Sequence, residues 1–149
     1  MFGPLLCVAC FIWRMSVDNI LATYSLSIGA LGFVAALMLI QIVISDAIGI
    51  MGRHVPGTPV EPNHALPMFR ASRTVANTNE SVAIFIAGLL FCILMGASAS
   101  LTAVAAWGYA LARLAYAICY YANLQTLRSI CFGVSLLALF TLLIGGAFF

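Results

Sequence analysis

Arg70, Arg73, Asn77 and Glu80 recur at steps of three, four and three. At about 100° per residue, their side chains share an arc of roughly 80° on one helix face. Arg113, Tyr116, Tyr120 and Asn123 repeat the same steps, and Arg128 and Ser129 follow directly. A guanidinium is a planar fork suited to carboxylate or phosphate. Tyrosine hydroxyls and an amide add neutral hydrogen bonds beside it. The chemistry open to this set is the binding of an anion, most simply a carboxylate. The competing reading is internal neutralisation, in which Glu80 pairs with Arg73 or Arg113 and the other arginines anchor helix ends. Four arginines (Arg70, Arg73, Arg113 and Arg128) face Glu80, and Asp46 offsets one more at most. A positive excess remains either way.

Other chemistry is thinly represented. His54 and His64 sit ten residues apart in a proline-rich stretch without nearby ligand partners, so they read as exposed loop residues and no metal site is expected. Cys92, Cys119 and Cys131 lie in or beside apolar runs, where a thiol is ordinarily a small packing residue. Cys7 and Cys10 form an isolated C-x-x-C, and an odd total of five cysteines argues against a full disulfide framework. The chain contains no glycine-rich phosphate loop, G-x-S-x-G or HExxH.

The elements that must carry these residues are membrane helices. Hydrophobic residues make up 64% of the 149, and charged residues only 7%. A soluble domain carries about 25% charged residues, so lipid must be the main solvent. A net charge of +2 is too small to suggest nucleic acid as a partner. Apolar runs predict spans over Ile20–Met51, Leu66–Met95, Leu101–Asn123 and Thr126–Phe148. Pro56, Pro59, Pro62 and Pro67 exclude a helix from the first connection, Gly52 to Pro67. Gly96 to Ser100 forms a short turn of small residues.

The expected fold is all-α, a four-helix membrane bundle over residues 20–149, preceded by an apolar leader over residues 1–19. The leader is too short to span and lacks a signal-peptide pattern, so it is expected at the membrane surface or against a partner. Both arginine-bearing connections then face the cytoplasm and both termini lie outside.

The segment Phe69-Arg-Ala-Ser-Arg-Thr-Val-Ala-Asn-Thr-Asn-Glu80 contains the frame R-x-x-x-N-x-x-E, and Ala112-Arg-Leu-Ala-Tyr-Ala-Ile-Cys-Tyr120 contains A-R-x-x-[HY]-x-x-x-Y. Both resemble motifs of the MAPEG family, the membrane-associated proteins in eicosanoid and glutathione metabolism, as does the Arg128-Ser129 pair opening the fourth span. The resemblance covers about residues 20–149 and is closest to the bacterial branch, implying a bacterial inner membrane. It implies a homotrimer that binds glutathione as co-substrate between subunits, near the cytoplasmic face. It further implies a transferase or peroxidase acting on a lipophilic electrophile or hydroperoxide.

Matching positions suggest glutathione contacts at Arg73, Asn77, Glu80, Arg113, Tyr116, Tyr120 and Ser129. Arg128 is the implied catalytic residue, placed by the sulfur where its charge favours the thiolate. Animal members carry a further arginine at the end of span one; here that region offers Arg53. The leader is a departure from the family pattern. It motivates the alternative of a non-catalytic accessory subunit in a larger membrane complex.

Overall fold

A computed structural model describes residues 17–148. Its long helices are α1 (Ser25–Met51), α2 (Pro67–Met95), α3 (Ala99–Tyr121) and α4 (Gln125–Phe148). The Cys7/Cys10 pair and residues 1–16 of the leader lie outside the described residues. Each long helix is long and apolar enough to cross a membrane. At about 1.5 Å per residue, the 27 residues of α1 and 29 of α2 reach beyond about 30 Å of hydrocarbon. Large apolar side chains cover the outside, among them Leu39, Val43, Leu94, Val104, Leu137 and Phe140. So broad an apolar exterior suits lipid and neighbouring membrane helices rather than water. The chain is an integral, multi-pass membrane protein.

Local chemistry sets the helix ends. Leu66 is extended, as the residue before a proline prefers, and Pro67 opens α2 without needing an N–H partner. Gly96 closes α2 at φ 69, a left-handed conformation that glycine takes without strain. Arg53 and Asn123 serve the same purpose after α1 and α3, at φ 53 and 59. His54 N–H then reaches back to Gly49 C=O at 2.9 Å, and Leu124 N–H to Cys119 C=O at 2.8 Å. The predicted span from Ile20 is interrupted: residues 17–23 are helical, but Tyr24 breaks regularity and α1 proper begins at Ser25. The Tyr24 hydroxyl donates to the carbonyl of Ala97, tying the start of α1 to the α2–α3 turn.

Helices α2 and α3 form the centre, with α1 and α4 each packed on both of them. The hairpin of α3 and α4 is the most extensive contact. Burial follows this order: 56% of the apolar window of α3 is buried, against 28%, 33% and 28% for the other helices. Ala105, Ala106 and Ala110 let α3 occupy that position, because small side chains allow close approach in lipid. The core is continued by Val34, Phe85, Leu89, Tyr109, Leu139 and Leu142. Gly146 has a steric reason: a Cβ there would lie 2.5 Å from Cδ1 of Phe91.

Candidate functional site

At the end of the bundle nearest the proline-rich connection, three helices converge on a cavity of about 260 Å³. Arg73 and Asn77 line it from α2, Tyr116 and Tyr120 from α3, and Arg128, Ser129 and Phe132 from α4. Short-range bonds fix what each offers. Asn77 donates its amide N–H to the Arg73 carbonyl at 2.8 Å, leaving its side-chain oxygen free to accept. Ser129 donates its hydroxyl to the Gln125 carbonyl at 3.1 Å, so towards a ligand it can only accept. The Arg128 guanidinium lies over the Tyr120 ring, 4.5 Å from its centroid. Stacking of this kind holds the cation by its face and leaves its N–H edge available. Tyr116 meets Tyr120 edge to face at 5.5 Å and packs at 6.2 Å from Phe132.

Arg113 lies beneath this cavity. It is fully buried, and its guanidinium stands 4.4 Å from the centroid of the Tyr116 ring. Its Nη2 donates to Thr78 Oγ1 at 3.1 Å, while Nε and Nη1 have no partner among the described residues. Thr78 can accept because its own hydrogen goes to the Thr74 carbonyl at 3.1 Å. One turn further in, the Ser81 hydroxyl donates to the Thr78 carbonyl, so at the 2.8 Å contact Tyr109 donates to Ser81. Phe85 stacks on Tyr109 at 4.4 Å and seals the polar ladder from the apolar core. A buried cation without a direct ion pair is costly, and one cation–π contact of about 2 kcal/mol offsets only part of that. The charge of Arg113 is therefore met by the Tyr116 ring, the Thr78 hydroxyl and the more distant Glu80 rather than by an ion pair.

The sequence stripes are only partly kept together. Arg73 and Asn77 line the cavity, but Arg70 turns back and donates to the carbonyls of His64 and Ala65 at 2.7 and 3.0 Å. It anchors the end of the proline-rich connection. Glu80 is exposed on α2; of the pairings open to it under internal neutralisation, with Arg73 or with Arg113, the second is replaced by the bond from Arg113 to Thr78. The two remain close enough for electrostatic interaction. Asn123 leaves the α3 stripe, because its backbone makes the left-handed turn into α4. Arg53 lines a different, larger cavity of about 720 Å³ with His54, Glu61 and Met68. That cavity is mostly apolar, and the other cationic site residues are absent from its lining. His64 is half-buried rather than exposed; its ring packs on Phe69 at 4.9 Å and lies 6.0 Å from Tyr120.

Phe132, Thr78 and Tyr109 were not anticipated from sequence. Phe132 was legible in principle, since it follows Arg128 by four residues and shares its helix face. Thr78 and Tyr109 gave no signal, because threonine and tyrosine within a span ordinarily satisfy a local carbonyl or pack. Among the described residues, no cluster of three or more His, Cys, Asp or Glu side chains is placed to hold a metal ion.

A search of curated proteins finds no significant match. The MAPEG family profile matches residues 21–148, which include all four long helices and every residue lining the cavity. With four apolar helices, and with Arg73, Asn77, Tyr116, Tyr120 and Arg128 gathered around one cavity, the chain belongs to the MAPEG family.

Proposed function

We propose that the chain is a membrane-bound glutathione-dependent transferase or peroxidase acting on a lipophilic electrophile or hydroperoxide. The observation that carries this reading is the convergence of Arg73, Asn77, Tyr116, Tyr120, Arg128 and Ser129 on one cavity with no carboxylate in its lining. Glutathione brings two carboxylates, an amine and a thiol. Arg73 suits a carboxylate, and the free Asn77 oxygen suits a backbone N–H. Arg128, held on Tyr120, is suited to the sulfur: a thiol has a pKa of about 8.5, and an adjacent cation lowers it. The thiolate would attack the electrophilic carbon of a transferase substrate, and the electrophile's leaving group would depart. With a hydroperoxide it would attack the outer oxygen, releasing an alcohol. A second glutathione would resolve the sulfenic product to glutathione disulfide and water.

At about 260 Å³ the cavity is smaller than the roughly 300–1,000 Å³ usual for small-molecule sites. This favours one wall of a larger site completed by a neighbouring copy, in a homotrimer. Exposed Glu80 then has a role it lacks within one chain, as the partner of the tripeptide's amine at the subunit seam. The family membership is consistent with glutathione chemistry of this kind. A bacterial inner membrane with cytoplasmic arginine-bearing connections is part of the proposal. Calorimetric titration of the purified protein with glutathione tests it, with saturable binding in the millimolar range or tighter expected. No heat at millimolar glutathione, with Arg73→Ala and Arg128→Ala leaving any activity unchanged, would overturn it. Native mass spectrometry checks the trimer; a stable complex with a different protein instead would favour an accessory subunit.

A further inference from the structure

The α3–α4 hairpin brings together two thiols that the glutathione reading does not use. Its register is set by Arg128 over Tyr120, by Phe132 beside Tyr116, and by Gly108 against Ala138 deeper in. In an antiparallel pair with this register, Cys119 on α3 falls opposite Cys131 on α4. The two are near enough across the seam to influence one another electrostatically, and both thiols are free and half-buried. Cys92, by contrast, is buried and donates to the Leu142 carbonyl at 3.0 Å, as a packing cysteine does. The pair lies beside the cavity, since Cys119 precedes Tyr120 and Cys131 precedes Phe132. Neither thiol is sealed in the core: both are partly exposed at the surface of the chain.

We propose that Cys119 and Cys131 form an oxidisable dithiol that a lipophilic hydroperoxide closes to an intrachain disulfide. One thiolate attacks the outer oxygen of the hydroperoxide: an S–O bond forms, the O–O bond breaks, and the alkoxide leaves as alcohol after taking a proton. The second thiol attacks the resulting sulfenic sulfur: an S–S bond forms and water leaves. Two thiols lose two electrons in all, and the hydroperoxide becomes an alcohol and water. External thiols reopen the bond by exchange. The disulfide would clamp α3 to α4 beside Tyr120 and Phe132. The inference does not rest on glutathione binding, and its test contains no glutathione.

The full-length protein in phospholipid vesicles is treated with cumene hydroperoxide, alkylated with N-ethylmaleimide and digested with trypsin without reduction. Cleavage after Arg113 and Arg128 places Cys119 in residues 114–128 and Cys131 in residues 129–149. The expected result is a disulfide-linked pair of these peptides, from chains that run as monomers on a non-reducing gel. Dithiothreitol should separate them and restore both alkylation sites. In Cys119→Ser the link disappears and Cys131 is trapped by dimedone as sulfenic acid; Cys131→Ser gives the converse. Full alkylation of both thiols after excess peroxide would overturn the proposal. So would separate oxidation of each thiol without a link in the unmodified chain, or a link found only between chains.

Discussion

The two ends of the bundle are built from the same central helices on opposite principles. Towards the α2–α3 turn, Phe91 fits against Gly146, Leu142 against Gly88 and Leu101 against Gly145. Small residues let backbones close up, and contact between side chains supplies the cohesion. Towards the proline-rich connection, one cation stacks on Tyr120, a second on Tyr116, and two nitrogens of Arg113 have no partner among the described residues. The apolar end is held by close packing around small residues, whereas the polar end gathers cations against aromatic rings. Phe85 on Tyr109 is the boundary between them.

Changes at the two ends should therefore separate affinity from stability. The largest effect is expected for Arg128→Ala. Losing a positioned cation at a developing charge lowers turnover by about 10²–10³-fold, while the melting temperature in detergent stays near that of the unmodified protein. Glutathione-dependent peroxidase or conjugation assays read the first, thermal denaturation the second. A variant that melts early would show that Arg128 is structural.

Gly146→Val should do the reverse. Its side chain meets the Phe91 ring, and overpacking of this kind costs about 1–3 kcal/mol. Glutathione affinity of the folded fraction should be unchanged; weaker binding at constant stability would break the division.

Arg113→Met sharpens it further. Replacing a buried, incompletely paired charge by an apolar chain is often neutral or stabilising by about 1–4 kcal/mol. Thr78 keeps its bond to Thr74, so no hydroxyl hydrogen is stranded. Affinity should fall about tenfold, equivalent to about 1.4 kcal/mol. A collapse of stability would mean that Arg113 holds the fold.

The smallest effect is expected for Arg53→Gly. Releasing a side chain from φ 53 should stabilise the protein by about 1 kcal/mol. Glutathione titration decides whether Arg53 also contacts ligand across a subunit seam: undiminished affinity assigns it to the helix end alone.

The helices were legible because their signals are local. Pro67 and Gly96 mark their boundaries with conformations that few other residues take so readily, and the spans are too apolar for water. The break at Tyr24 within the first span was not legible, because it lies inside an apolar run and is accompanied by a bond to Ala97, far along the chain. Half of the polar constellation was legible for the same local reason. Steps of three and four put Arg73 with Asn77, and Tyr116 with Tyr120, wherever those helices pack.

By itself, then, the sequence determined that this is a four-span membrane protein with two polar helix faces and an excess of arginine charge. Those properties follow from length, composition and spacing along single helices. Only the tertiary structure decided which arginines share a cavity. It turned Arg70 to the connection, put Arg53 at a helix end, left Glu80 outside, and buried Arg113 under Tyr116. It also set the α3–α4 register that brings Cys119 opposite Cys131. Such outcomes depend on distances and rotations between helices, and these are set by how closely Ala105, Ala106, Gly108 and Gly146 let neighbours approach, which no spacing within one helix records.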